Sequence, residues 1–521
     1  MPEQSYGKPA LVIFLLTSGL LWFLMADHLR LNVDEGIYLD GALRSYKGET
    51  LYRDFLAHTG PGTFWLCEIA FRLAGVSLSH ARIPLILGLA AMVSGVFYLT
   101  AALTARDFAF GAAFLFLLFE TRDLYLLAVN HRWDSGALAF LAVVAAFGAI
   151  RRDSRLLSFG AGVCAAAAAW VTPTVGLIAL PLSAWMLFHL RLRGLLAAFI
   201  AGGALLTAVC AAVLAAQGAL QPMVHHLLWT SANYSGPNRV PYGYAGTGFA
   251  EAAADLNPVA KALFSIVLAS VLLPAILPAL AYFGWAAWFA FRRTAELPHK
   301  SAILFLLLCS AALLASTYPR WDTGHLLYVT PIFYVLTAAL MYRALPRRVL
   351  APVFLGLSLL LAFLWSQPLL KAREFVTIET PSGPLSARPE DRMFVKTLSR
   401  RVRPGDSLFV FPNFPTVYFL TGGVNHSRYS FLQAGLMTDE DERAALEDLQ
   451  ANPPRWVVYW DVPPERYLKT SPSADPARLR FHRIEDYLRM NYSWVETHDH
   501  WHGAYSILER KSNVSQEKVR R

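Results

Sequence analysis

Apolar residues fall in blocks along the first two-thirds of the chain, each about as long as a bilayer is thick, with short polar breaks between them. Windows of about 20 apolar residues predict spans at residues 9–26, 82–104, 108–121, 134–150, 156–171, 174–190, 194–216, 259–289, 301–317, 324–341 and 348–366. Only Thr172, Pro173 and Thr174 are available to turn the chain within 156–190, and the block 259–289 contains Pro274 and Pro278. A miscount at either place would reverse the side on which the C-terminal part lies. Beyond Trp365 the pattern becomes alternating: "DSLFVFP" (406–412), "RWVVYW" (455–460) and "GAYSILER" (503–510) read as strands, and "DEDERAALEDLQ" (439–450) as a helix. The expected fold class is an all-α polytopic membrane domain over residues 1–366, followed by a small α/β domain over 367–521.

Charge supplies an independent check. If the N-terminus is inside, the inside loops are 105–107, "RRDSR" (151–155), "RLRG" (191–194), "FRRTAELPHK" (291–300) and "YRALPRR" (342–348), and each carries Arg or Lys as cytoplasmic loops do. The outside segments are then 27–81, 121–134, the Thr172 turn, 217–258, 316–324 and the tail. Composition agrees with a membrane protein, with 55% hydrophobic and 16% charged residues, well below the roughly 25% charged content of soluble domains. The formal charge of +9 is accounted for by those inside loops, so it does not point to nucleic acid. The first span lacks a small-residue cleavage site and reads as a retained anchor. Cys164, Cys210 and Cys309 fall inside spans, leaving Cys67 alone near an outer loop, so no disulfide framework is expected.

The sorting places the chemistry-bearing residues on one face. Asp34 and Glu35 follow the first span within "LNVDEGIYLDGALRSYKGETLYRDFLAHTGPGTFWL" (31–66). Asp34 is suited to cap a helix over Gly36–Tyr46, and Asp40 with Arg44 reads as an i,i+4 surface ion pair. Arg53, Asp54 and His58 lie in a loop marked by Gly and Pro. "RWDSG" (132–136) and "RWDTG" (320–324) differ at one position, and each opens a span running inward. Asp134 with Ser135, and Asp322 with Thr323, are natural caps there, and the tryptophans suit the interface. The alternative is that Arg132 and Arg320 bind a phosphate beside two helix N-termini, with His131 and His325 adjoining. The loop 217–258 offers Tyr242 and Tyr244 as stacking faces for a sugar ring. Neither the His225–His226 pair nor "THDHWHG" (497–503) has a metal-site spacing, so no metal residues are assigned.

A first span followed at once by an acidic pair, an interfacial helix, the "YRD...H.GPG" stretch and a second short helix resembles the first extracytoplasmic loop of the GT-C superfamily. Within it the sequence is most similar to the bacterial protein mannosyltransferase and aminoarabinose transferase group, and "YPRWDTGHLLYVTPIFY" (318–334) resembles the loop before a late span of those proteins. The resemblance covers residues 8–366 and implies an inverting glycosyltransferase of the bacterial inner membrane, with the active site and tail outside. It also implies a polyprenyl-phosphate sugar donor, with a lipid, glycan or protein hydroxyl as acceptor. It puts the catalytic base at Asp34, assisted by Glu35, with Arg53, Asp54, His58, His131, Arg132, Arg320, Asp322, His325, Tyr242 and Tyr244 as substrate-binding candidates. One carboxylate suffices as base because phosphate is already a good leaving group. No cofactor is required by this reading, although some relatives use a divalent metal. The rival readings are a flippase of lipid-linked saccharides, an O-antigen ligase or polymerase, and a membrane scaffold whose tail binds a partner.

Overall fold

A computed structural model describes residues 6–122, 125–189, 192–246, 254, 256–291, 299–372, 374–500 and 503–511. The centre of the "FRRTAELPHK" loop, Arg191 of "RLRG", part of the 217–258 loop, and Trp501 and His502 of the His-rich stretch lie outside the described residues. Apolar helices stand at every expected place: Gly7–Met25, Ile83–Leu103, Arg106–Glu120, His131–Arg152, Arg155–Val171, Ala179–Phe188, Arg193–Ala216, Pro258–Phe291, Lys300–Ser316, Thr330–Ala344 and Arg347–Ala372. Six of the described helices are long and apolar enough to cross a bilayer by length and composition, and the shorter apolar helices include Arg155–Val171 and Lys300–Ser316. The turn at Thr172 does form, with a 3-10 segment Pro173–Ile178 absorbing the proline's constraint. Pro274 and Pro278 sit inside one continuous helix. Apolar side chains such as Phe23 and Phe291 are 79% and 87% exposed, as lipid-facing positions are, whereas Ile83–Leu103 and Thr330–Ala344 are sheathed by other helices. Helices Arg155–Val171 and Arg193–Ala216 cross where Gly162 and Gly202 would each, with a Cβ added, collide with the other backbone, the close approach that small residues permit in membranes.

The tail carries more structure than the alternation predicts. An antiparallel hairpin, β1 (Val376–Thr380) and β2 (Gly383–Ala387), precedes a four-stranded sheet of β3 (Leu408–Phe411), β4 (Trp456–Trp460), β5 (Tyr492–His498) and β6 (Tyr505–Arg510), in the order β3-β4-β6-β5. β3 and β4 are parallel and the other pairs antiparallel. The division expected after residue 366 falls inside the helix Arg347–Ala372. His500 is buried against Asp391 at 3.3 Å, and His498 pairs with Glu496 at 3.0 Å, so both take structural partners within the tail.

The tail is docked on one end of the bundle. The β2 residue Ser386 exchanges backbone hydrogen bonds with Asp27 and Leu29, just past the first span. Phe64, Phe71, Val417, Phe419 and Trp460 belong to one continuous apolar core built from the interfacial helices and the tail. Helix Val33–Tyr46 lies against the short helix Thr416–Thr421 so closely that a Cβ on Gly36 would strike the backbone and hydroxyl of Thr416. Asp40 and Arg44, expected as a surface ion pair, are instead buried in this seam. Arg44 bonds Glu49 Oε2 at 2.6 Å and the Ser427 carbonyl at 3.0 Å, and burial raises the Asp40 carboxyl to about 6 against the pull of Arg44. The correction has a plain cause: the tail covers this helix face, and spacing along the helix does not reveal a cover supplied from elsewhere.

Gly36→Ala should therefore loosen the tail from the membrane domain, at a cost of about 1–3 kcal/mol as for an overpacked core. Limited proteolysis should release the tail faster from the variant than from the wild type. Equal cleavage rates would mean that the seam adjusts to a methyl group.

Candidate active site

The first turn of helix Val33–Tyr46 decides where the acidic pair points. Asn32 is extended and its Oδ1 accepts from the backbone N–H groups of Asp34 (2.9 Å) and Glu35 (3.3 Å). Asn32 is thus the N-cap, two positions before the residue expected to fill that place, and the Asp34 carboxylate is released from capping. Neighbouring residues of a helix are turned about 100° apart, so the two acids face different surroundings. Glu35 is 1% exposed and points into the protein. Its oxygens receive Arg82 Nε and Nη2 at 2.7 and 2.6 Å, and Oε1 also accepts from Val129 N–H at 3.0 Å. Arg82 also donates to the carbonyls of Met25 and His28.

Asp34 faces the other way, toward the loops that open two spans. Its Oδ2 accepts from Asn130 Nδ2 at 2.9 Å. The side chain stays accessible to water, but the protein packed around it raises its carboxyl above the ordinary aspartate value, an effect that nearby His325 and Arg320 partly offset. Asn130 also caps helix His131–Arg152 by accepting from Arg132 N–H at 2.8 Å. The cap expected at Asp134 and Ser135 is therefore displaced four residues upstream. Asp134 accepts from Thr63 Oγ1 at 2.6 Å, tying the second interfacial helix Gly62–Ala74 to the bundle. Asp322, in contrast, caps the short helix Thr323–Leu326 as expected, accepting from His325 N–H at 3.0 Å.

Both near-identical motifs converge on this recess, in different states. Arg132 is buried; its Nη1 reaches the Ser316 carbonyl at 3.3 Å, while its Nε has no hydrogen-bond partner and no carboxylate pairs with it among the described residues. Arg320 is neutralised by Asp322 at 3.1 Å, and the other Asp322 oxygen meets His325 Nδ1 at 2.9 Å. Burial opposes ionisation of Asp322, yet His325 and Arg320 hold its carboxyl well below the usual range. Tyr234, at the end of helix Leu220–Tyr234, interacts electrostatically with Arg132, Arg320, Asp34 and Asp322. The recess around Tyr234 thus holds one accessible carboxylate and a buried cation without a carboxylate partner among the described residues, a combination suited to taking a proton and holding an anion. Helix Thr330–Ala344 also borders an apolar cavity of about 870 Å³, lined by Phe110, Phe119, Leu277, Tyr334, Met341 and Leu357 and reaching Asp107 and Tyr342.

Other expected site residues stand elsewhere. Arg53 and Asp54 form an exposed pair at 2.8 Å, and Arg53 also reaches the Gln217 carbonyl. His58 stacks on His226 and Trp229, edge-on to Phe431, and its burial beside His226 lowers it to about 3. His131 hydrogen-bonds Thr172 at 2.7 Å and packs near Tyr38. Tyr242 donates to the Ala275 carbonyl at 2.7 Å and Tyr244 to the Lys469 carbonyl at 2.9 Å, so both hydroxyls brace loops. Asn32, Arg82, Asn130 and Tyr234 join the site without being singled out by the sequence pattern. Asn two residues before an acid pair is a capping signal, whereas nothing local marks Arg82 as the partner of Glu35.

The fold made by the bundle, the interfacial helices and the docked tail is shared with solved structures of two other proteins. The likeness extends over nearly the whole of ArnT from Cupriavidus metallidurans. In its crystal structure bound to undecaprenyl phosphate, 12% of aligned residues are identical, 98% of this chain and 99% of that one are covered, and the TM-score is 0.56. The apo form of ArnT gives 13% identity and a TM-score of 0.53, covering 97% of this chain and 98% of its own. The Archaeoglobus fulgidus oligosaccharyltransferase in complex with Zn and sulfate aligns over 95% of this chain and 72% of its own, with 14% identity and a TM-score of 0.51. No family profile and no curated protein sequence matches the chain.

Glu35→Ala would leave Arg82, which is 0% exposed, without its counterion. Removing one partner of such a pair costs about 3–5 kcal/mol, so the variant should show a clearly lower unfolding temperature in detergent. An unchanged midpoint would deny the ion pair its anchoring role.

Proposed function

We propose that this protein is a glycosyltransferase that moves a sugar from a polyprenyl-phosphate donor to an acceptor hydroxyl at the tail-bearing face of the membrane. The observation carrying this reading is the Asp34 carboxylate, freed from capping by Asn32 and placed in a recess with Arg132, which has no carboxylate partner among the described residues. The fold shared with ArnT, crystallised with undecaprenyl phosphate, supports the choice of donor.

In this mechanism Asp34 accepts the proton of the acceptor hydroxyl as its oxygen attacks the anomeric carbon. The bond from that carbon to the phosphate oxygen breaks, and polyprenyl phosphate leaves with the electron pair, inverting the anomeric centre. Arg132 stabilises the charge growing on the leaving phosphate, with Arg320 and His325 beside it. Glu35 acts through position alone, since its engagement with Arg82 orients the turn that carries Asp34. The isoprenoid chain is assigned to the apolar cavity beside helix Thr330–Ala344, with Tyr334 and Met341 on its wall. The positive charge needed at the phosphate comes from the arginines, so no step is assigned to a metal or cofactor. The acceptor is a hydroxyl on a lipid, glycan or protein, the membrane is the bacterial inner one, and the recess faces the periplasm.

The test uses purified protein in liposomes with labelled polyprenyl-phosphate sugars and a membrane extract as acceptor. Asp34→Asn should lose about a hundredfold in transfer, as expected when a general base is removed. A variant as active as the wild type would move the base elsewhere. The pH profile adds a second arm. Asp34 must be ionised to act, so activity should fall as pH drops through its folded pKa, which lies above the ordinary value of 3.8. Because the folded pKa is raised, the fold favours the neutral acid, and this contribution to stability is lost as pH rises. The Asn variant should therefore be no less heat-stable than the wild type at neutral pH, which separates lost chemistry from lost folding.

A further inference from the structure

We infer that the tail segment Lys469–Ser473 is a wall of the donor site, and that Ser471 is a positioning residue for Arg320. This rests on the reading of the recess as a phosphate site. Arg320 Nε is held by Asp322 at 3.1 Å, and Nη1 donates to Asn238 Oδ1 and to Ser471 Oγ, both at 3.3 Å. Nη2 donates to the Thr470 carbonyl at 2.6 Å. Two of these four acceptors belong to the tail, some 150 positions along the chain. They occupy four of the five N–H groups of the guanidinium and leave one, on Nη2, to face an anion. The contact is supported on both sides. Tyr244 donates to the Lys469 carbonyl at 2.9 Å, and Ser473 Oγ to the Arg239 carbonyl at 2.7 Å. The loops they brace are laced together, with Val240 N–H bonded to the Pro319 carbonyl at 3.1 Å and Gly243 N–H to the Trp321 carbonyl at 2.8 Å. Asn238 is 2% exposed, so the loop side of the clamp is rigid. A planar fork with a fixed orientation loses little freedom when a phosphate binds. The tail thus completes the membrane domain's site. Among the described residues Arg132 takes no such support from the tail, which gives the two motif arginines different duties.

The experiment measures binding of polyprenyl phosphate to the purified full chain, together with transfer kinetics. Ser471→Ala should weaken binding and raise the donor KM about tenfold, as when a bond worth about 1.4 kcal/mol is lost, with kcat within about twofold of wild type. Ser471→Thr, which keeps the hydroxyl, should restore both, and the Ser471→Ala/Ser473→Ala pair should weaken binding further with little change in unfolding temperature. Unchanged binding in Ser471→Ala, with wild type binding normally, would overturn the inference alone. Wild-type protein that does not bind polyprenyl phosphate would overturn the donor reading and the inference with it.

Discussion

The buried ion pair between Glu35 and Arg82 is the constraint from which the rest of the site follows. Through it the carboxylate of the interfacial helix, the carbonyls of Met25 at the end of the first span and His28 just beyond it, the start of the second span and the Val129 N–H before a later one meet at one point. Two charges withdrawn from water carry a desolvation cost that their mutual attraction repays only with good geometry and further hydrogen bonds. Here both are present, so the pair favours one arrangement of four chain segments over any that would leave a charge unmatched. Fixing Glu35 fixes the turn, and fixing the turn aims its neighbour Asp34 at the recess. The acidic pair at the mouth of the first span is therefore a division of labour: one acid is committed to the scaffold so that the other can remain accessible.

The same logic explains why two nearly identical motifs do different things. Asn130 takes the capping role ahead of Arg132, which leaves Asp134 free to bond Thr63 and Arg132 without a carboxylate partner among the described residues. Two residues before its arginine the second motif has Tyr318 where the first has Asn130, so no side-chain amide stands there to cap. Asp322 takes that role for its own short helix and neutralises Arg320 as well. One motif supplies an uncompensated charge and the other a compensated, clamped one. A buried cation without a counterion is costly, and an anionic ligand is what would relieve that cost.

Much of this is legible along the chain, and the boundary is physical. Spans are set by length and hydropathy, so each predicted block is a helix, including the pair joined at Thr172 through the 3-10 segment Pro173–Ile178. The strands Leu408–Phe411, Trp456–Trp460 and Tyr505–Arg510 are visible because their apolar residues are concentrated, whereas the hairpin Val376–Ala387 buries only the short apolar set Ile378, Leu385 and Ala387, and the strand Tyr492–His498 mixes polar residues on both faces. The assignment of Asp34 comes only from resemblance, since its local signal is that of a cap. What sequence spacing does not convey are long-range partners: Arg82 for Glu35, the tail for Arg44, and Thr470 for Arg320. Asp40 and Arg44 show the error most clearly, because i,i+4 spacing gives adjacency on a helix and says nothing about what covers it.

The docked tail changes what the membrane domain has to do alone. In a recess open to water, two arginines and a histidine would be screened and mobile, and their field at a phosphate would be weak. The tail packs its core against the interfacial helices and extends its Lys469–Ser473 segment to the loops beside the recess. It thereby holds a guanidinium by main-chain and hydroxyl acceptors that carry no net charge. Neutral acceptors orient Arg320 without cancelling its charge, whereas Asp322 does cancel it. The net field at the recess is then set chiefly by Arg132, and the geometry chiefly by Arg320. In the proposed reaction, separating charge from orientation in this way would let the site bind an anion firmly enough to position it and still release it after the bond to the sugar is broken.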